Sequence, residues 1–136
     1  MLLFFIPFAL VLTVPSGIFL RSSFFAFPRQ RPEVWGLMMV RYPLMAAIPQ
    51  ELVFRVFLFA RSGALFPDAA VLVIRNGISV DLAHAFYGNW IALTLSTLGG
   101  MLFAYRYHRT RSIIAAGIEH GLWGDFLFTV GIGRIL

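Results

Sequence analysis

An acid and a base, Glu51 and Arg55, lie one helical turn apart within an otherwise apolar stretch of the sequence. Two histidines, His84 and His120, lie in later stretches of the same kind. A charged side chain at the centre of a bilayer costs roughly 2.5–3.5 kcal/mol, so such groups face the protein interior and usually serve a function. These residue types therefore predict a polar site buried among apolar helices.

One carboxylate and two imidazoles from three separate segments allow two kinds of chemistry. Glu51, His84 and His120 can bind Zn²⁺ and leave a fourth position open for water. They can also activate water directly, with the carboxylate as base and the imidazoles stabilising an oxyanion. Serine hydrolysis is disfavoured, because the sequence has no Gly-x-Ser-x-Gly elbow and no Ser-x-x-Lys pair.

Each of these residues also has a purely structural interpretation. Glu51 and Arg55 stand in the favourable helical order, acid before base at i, i+4, so a structural ion pair is the favoured interpretation of this pair taken alone. A single buried histidine can be satisfied by a backbone carbonyl. The functional interpretation depends on the three segments bringing their polar groups to one place.

The elements that must position these groups are membrane helices. The chain has 136 residues, of which 60% are hydrophobic and 12% charged, with a mean hydropathy of +0.83. This composition predicts an all-α, multi-spanning transmembrane bundle rather than a soluble domain. The net charge of +5 comes from arginines scattered over loops and helix ends, which favours lipid headgroups as partners and argues against nucleic acid. There is no cysteine, which excludes disulfides and thiolate chemistry.

Arginine, proline and glycine divide the sequence into about five apolar segments, each near the ~20 residues that a spanning helix needs. The segments run at about 2–20, 36–60, 69–86, 89–106 and 113–131. We expect a single transmembrane domain over residues 1–136. The first segment lacks a basic leader region and a cleavage site, so we interpret it as a retained span. A start inside an apolar run leaves a truncated N-terminus as an alternative.

Three short motifs occur in order on three of these segments. They are Gln50-Glu51-Leu52-Val53-Phe54-Arg55, Val80-Asp81-Leu82-Ala83-His84 and His120-Gly121-Leu122-Trp123-Gly124-Asp125. Their order resembles the CPBP family, the CAAX-protease and bacteriocin-processing intramembrane endopeptidases related to the type II CAAX prenyl endopeptidase. That family has Glu-Glu-x-x-x-Arg, Phe-x-x-x-His and His-x-x-x-Asn at these places.

The resemblance implies an endopeptidase that hydrolyses peptide bonds of membrane-associated substrates, either prenylated CAAX proteins or bacteriocin-like peptides. It implies a protease core over residues 36–133 and a multi-pass protein of a bacterial cytoplasmic membrane. By residue, it assigns catalysis to Glu51, Arg55, His84 and His120, with Zn²⁺ on Glu51, His84 and His120 as one option for the cofactor.

The sequence departs from the family pattern at the polar positions. Gln50 replaces the first glutamate, which the pattern implicates as the base, and Gly124 replaces the asparagine. Asp125, next to Gly124, and Asp81, one turn before His84, are supporting candidates together with Gln50.

These departures leave a second hypothesis open, a non-catalytic pseudoprotease or membrane scaffold. A proton or ion conduit is a third, disfavoured by the lack of an inverted repeat.

Overall fold

The protein is built from α-helices. The computed structural model describes residues 2–134, including the side chains of residues 5–86 and 88–134. No β-strand occurs within residues 2–134, which confirms the all-α prediction. The helices, in chain order, are α1 (Leu2–Phe19), α2 (Ala26–Gln30), α3 (Pro32–Ser62), α4 (Ala69–His84), α5 (Trp90–Thr110) and α6 (Ile113–Val130).

Three of the helices begin at a polar residue that caps them. Asp68 Oδ1 accepts a hydrogen bond from the Val71 amide at the start of α4, at 3.0 Å. Asn89 caps α5 and Ser112 caps α6 in the same way. Such caps satisfy amides that the first helical turn leaves without a partner. The turn between α4 and α5 is short: Gly88 takes φ +62°, and α5 starts directly after Asn89.

Helix α3 is widened in two places, at the π-helical stretches Pro43–Ala47 and Leu52–Phe57. Pro43 and Pro49 lie within α3. Proline has no amide proton and clashes with the carbonyl four residues earlier, so a continuous helix must open locally around it. Glu51 lies between the two widened stretches and Arg55 inside the second. Widened turns of this kind are frequent at functional sites.

Glycines let the helices approach closely. On α6, a methyl group added at Gly121 would lie 3.0 Å from the Pro43 Cβ, and one at Gly117 would lie 3.2 Å from Ile48. Both contacts are with α3, so Gly117 and Gly121 form the surface of α6 that packs against α3. Between α4 and α5, a methyl group at Gly100 would lie 3.1 Å from the Gly77 Cα. These contacts pair α3 with α6 and α4 with α5.

The outer surface is strongly apolar. Phe86 is 96% exposed, Phe19 81% and Trp90 74%, which is unusual for a chain surrounded by water. One helix of the described part, Pro32–Ser62, is long and apolar enough to cross a membrane, and Phe5–Phe19 is a shorter apolar helix. The five predicted segments all coincide with helices. That all five span a membrane stays a prediction.

The Gly77–Gly100 contact gives a test of the fold. We expect Gly100→Val to lower the free energy of unfolding by about 1–3 kcal/mol, because the new side chain meets backbone that cannot move aside. Gly36→Val is the matched control, since nothing lies within 4 Å of the added methyl position. Denaturant titration of both variants in detergent measures the effect, and equal midpoints would contradict this packing.

Candidate active site

The centre of the site is the Glu51 carboxylate, whose side chain is 1% exposed. Its Oε1 lies 2.8 Å from His120 Nδ1 on α6. Its Oε2 lies 3.0 Å from Arg55 Nε, one turn along α3. The Arg55 Nε–H does not point at this oxygen, so the contact is an ion pair without a hydrogen bond. The Glu51 carboxylate therefore connects α3 to α6 through His120, and its negative charge is balanced by Arg55 on the same helix.

Arg55 is held by a second helix. Its Nη1 donates a hydrogen bond of 2.6 Å to Asn76 Oδ1 on α4, and the guanidinium lies over the Phe103 ring at 5.9 Å. The Asn76 amide group in turn donates to the Phe54 carbonyl, a backbone group within the π-helical stretch. A fully buried guanidinium needs such partners, because an uncompensated charge in the interior is costly. Asn76 thus fixes Arg55, and Arg55 balances Glu51.

The His120 ring has a defined orientation. Because the Glu51 carboxylate only accepts hydrogen bonds, His120 Nδ1 carries the proton, and Nε2 is the acceptor in the neutral ring. Nε2 lies 3.1 Å from the Tyr42 hydroxyl, which donates to it. The ring also stacks on Phe103, with centroids 4.6 Å apart and planes 16° apart. This carboxylate–imidazole pair has the arrangement that prepares a histidine to accept a proton.

These groups open onto a cavity of about 760 Å³. Its walls are formed mainly by apolar side chains of α1, α5 and α6, such as Phe8, Leu95 and Leu127. The polar side chains of the wall are those of Tyr42, Gln50, Glu51, Arg55, His84, Ser96, Glu119 and His120. An apolar cavity with a few convergent polar groups is the usual form of a ligand site.

His84 reaches the same cavity from the end of α4. Its Nδ1 lies 2.8 Å from the Val80 carbonyl. A carbonyl only accepts, so Nδ1 donates, and the lone pair of the neutral ring is on Nε2. The cavity is therefore lined by two imidazoles, each with its Nδ1 proton fixed by a neighbour.

The structure brings most of the sequence-predicted residues together. Gln50 lies in the cavity wall with Glu51, Arg55, His84 and His120. Asp81 and Asp125 are not part of that wall. The Asp81 Oδ1 accepts a 3.4 Å hydrogen bond from Ser96, and the buried Asp125 Oδ1 has no partner. The supporting roles of Asp81 and Asp125 stay predictions.

The donor set does not form a metal centre in this arrangement. The part of the chain that the structure describes contains no group of three or more His, Asp and Glu side chains that could hold a metal ion. Glu51 and His120 bond to each other instead of turning toward a shared point. The Zn²⁺ alternative stays a prediction.

Three residues of the site were absent from the sequence prediction: Tyr42, Asn76 and Phe103. Asn76 carried a signal, because an amide in the middle of an apolar segment needs a buried partner. Tyr42 and Phe103 carried none, since aromatic residues are common throughout the chain, which has 15 Phe and 4 Tyr.

Comparison of the sequence with known proteins identifies its family. The family model described as type II CAAX prenyl endopeptidase Rce1-like matches residues 32–124. This range begins with α3 and contains Glu51, Arg55, His84 and His120. The chain belongs to this family. Comparisons with curated proteins and with solved structures give no match.

Membership confirms the resemblance seen in the three motifs, and it makes the chain a member of a membrane-embedded protease family. The matched range ends at Gly124 and so includes the three motifs up to that residue. Within the range, the departures at Gln50, Val80 and Gly124 all line the cavity.

The bond between Arg55 and Asn76 gives a second test. We expect Asn76→Leu to lower the free energy of unfolding by about 2–3 kcal/mol, because the buried guanidinium loses its acceptor while side-chain volume is kept. Thr97→Ala is the control, since its hydroxyl bonds only within α5, to the Leu93 carbonyl. Denaturant titration in detergent compares the two. Equal losses would show that Asn76 does not hold Arg55.

Proposed function

We propose that this protein is an intramembrane endopeptidase that hydrolyses peptide bonds of membrane-associated substrates with water activated by the Glu51–His120 pair. The observation that supports it best is the 2.8 Å contact between Glu51 Oε1 and His120 Nδ1 at the wall of the apolar cavity. Membership of the Rce1-like family supports the reaction class.

In the proposed step, His120 Nε2 takes a proton from a water molecule while the water oxygen bonds to the scissile carbonyl carbon. The carbonyl π electrons move to its oxygen. Glu51 stabilises the imidazolium that forms and keeps the ring in the required tautomer. When the intermediate collapses, the carbon–nitrogen bond breaks and His120 returns the proton to the leaving nitrogen. Arg55 holds Glu51 in place.

His84 and Gln50 have accessory roles in this proposal. His84 lies in the cavity wall with its lone pair on Nε2, and it accepts the second hydrogen bond of the attacking water. The Gln50 amide orients water or the substrate backbone, since an amide cannot take a proton at neutral pH.

We further propose that residues 36–133 form the protease core of a multi-pass bundle in a bacterial cytoplasmic membrane. The strongly exposed apolar surface supports contact with lipid. Peptides that carry an apolar anchor, either a prenylated CAAX segment or a bacteriocin-like helix, suit the apolar cavity walls.

Removal of the pair tests the mechanism. We expect Glu51→Gln and His120→Ala to lower kcat for a reporter with a membrane-proximal peptide by about 10³-fold, since base and orienting group act as a unit. We expect His84→Ala to lower the same kcat by about 10²-fold. The assay uses the full chain purified in detergent.

Two matched variants control this experiment. Glu33→Gln makes the same chemical change at an exposed position of α3, and His108→Ala removes a histidine outside the cavity wall. Both should cleave like the parent. Because Glu51 is buried in an ion pair, far-UV circular dichroism must show that its variant is folded. Unchanged cleavage in a folded Glu51→Gln or His120→Ala protein would remove the mechanism.

A second candidate function is supported by Gln50. This amide faces the cavity at the place of a family glutamate, so a chain that binds substrate without cleaving it is the alternative. Such a pseudoprotease would retain peptide binding in the Glu51→Gln variant and show no turnover in any variant with Gln50.

Gln50→Glu separates the two functions. If the Glu51–His120 pair is the base, the parent chain cleaves and Gln50→Glu changes kcat by less than about tenfold, because the base is already present. If the chain is a pseudoprotease, the parent is inactive and the added carboxylate creates cleavage. Gln30→Glu, in α2 away from the cavity wall, is the control. The reporter assay described above measures both.

A further inference from the structure

We infer that the Tyr42 hydroxyl is the group that stabilises the oxyanion, a role that rests on the proposed hydrolytic function. Tyr42 lies in the cavity wall, in the first half of α3. Its hydroxyl oxygen is 3.1 Å from His120 Nε2, the atom that would take the proton of the attacking water. A donor is thus placed directly beside the proposed base.

The position of the ring depends on Gly124. A methyl group at this glycine would lie 2.6 Å from the Tyr42 hydroxyl oxygen and closer still to two ring carbons. The space that a side chain at position 124 would need is therefore filled by the phenol. The Phe128 ring, one turn further along α6, packs edge-on against Tyr42 at 5.1 Å and 77°. Gly124 and Phe128 together shape a slot for this aromatic ring.

The contact in the structure describes the enzyme before substrate enters. The Tyr42 O–H then donates to His120 Nε2, which satisfies two polar atoms inside an apolar cavity. When water binds to Nε2, the hydroxyl is displaced from the nitrogen and turns toward the carbonyl oxygen of the substrate. Since the oxygen and the nitrogen are 3.1 Å apart, a carbonyl attacked by water at Nε2 has its oxygen within reach of the phenol.

The chemistry requires no proton from tyrosine. As water adds, the carbonyl π electrons become a lone pair on oxygen, and the phenol donates a hydrogen bond to this oxyanion while keeping its own proton. Such a donor acts on the transition state more than on the bound substrate, so its loss lowers kcat and leaves KM nearly unchanged.

Tyr42→Phe is the direct test, because it removes the hydroxyl and keeps the ring that packs on Gly124 and Phe128. We expect kcat for the membrane-proximal peptide reporter to fall about 10²–10³-fold with KM unchanged, the loss typical of one oxyanion donor. Tyr107→Phe is the matched control, since Tyr107 packs on Phe59 outside the cavity wall and should retain the parent kcat. A Tyr42→Phe enzyme with the parent kcat would overturn the inference.

A binding measurement separates this inference from the proposed function. A phosphinic peptide, in which a tetrahedral anionic group replaces the scissile amide, mimics the oxyanion without being cleaved. The parent chain should bind it more tightly than the matched uncleaved amide peptide, and Tyr42→Phe should reduce that preference at least tenfold. If the parent neither cleaves nor prefers the phosphinate, the proposed function fails. If the parent cleaves the reporter and prefers the phosphinic peptide, and Tyr42→Phe changes neither property, only the role of Tyr42 fails.

Gly124→Ala gives an independent variant that retains every hydroxyl. The added methyl forces the Tyr42 ring out of its slot, so kcat should fall at least tenfold. Gly36→Ala, where nothing lies within 4 Å of the added methyl position, should have no effect. Parent-level kcat in Gly124→Ala would also overturn the inference.

Discussion

The site depends on the burial of one carboxylate. Glu51 is 1% exposed, and a charge in that position is tolerated only if the surrounding helices supply its partners. Arg55 provides the opposite charge from the same helix, and His120 provides a hydrogen-bond donor from α6. Asn76 then completes the shell of Arg55 from α4. The polar partners that the buried Glu51 carboxylate requires therefore link α3, α4 and α6 to one another.

Close packing of the helices brings these partners within reach of Glu51. Glycines on α6 let α3 approach until Pro43 and Ile48 touch the helix surface, and Gly77 and Gly100 do the same for α4 and α5. Pro43 begins the first widened stretch of α3, and Pro49 lies between the two stretches, close to Glu51. The close packing of α6 on α3 thus places the polar side chains of the two helices side by side.

A second ion pair, between the half-buried Arg106 and the buried Glu119, has a different set of partners. Arg106 holds Glu119 through two contacts, of 2.6 and 3.2 Å, and so ties α5 to α6. Both Glu119 oxygens are engaged by one guanidinium, a bidentate arrangement that is strong and static. Glu51 instead gives one oxygen to Arg55 and the other to the imidazole of His120, whose second nitrogen contacts Tyr42. This difference in partners separates a structural carboxylate from a candidate catalytic one.

The sequence alone determined the helical class and the positions of the helices, and it predicted Glu51, Arg55, His84 and His120 as candidate site residues. It could do so because hydrophobic periodicity and the cost of burying charge are local properties. Tertiary structure decided which of the polar residues meet. It joined Glu51 to His120 across 69 positions of the chain and left Asp81 and Asp125 outside the cavity wall. It also added Asn76, Phe103 and Tyr42. Their roles follow from distances between helices, and a one-dimensional pattern contains no such distances.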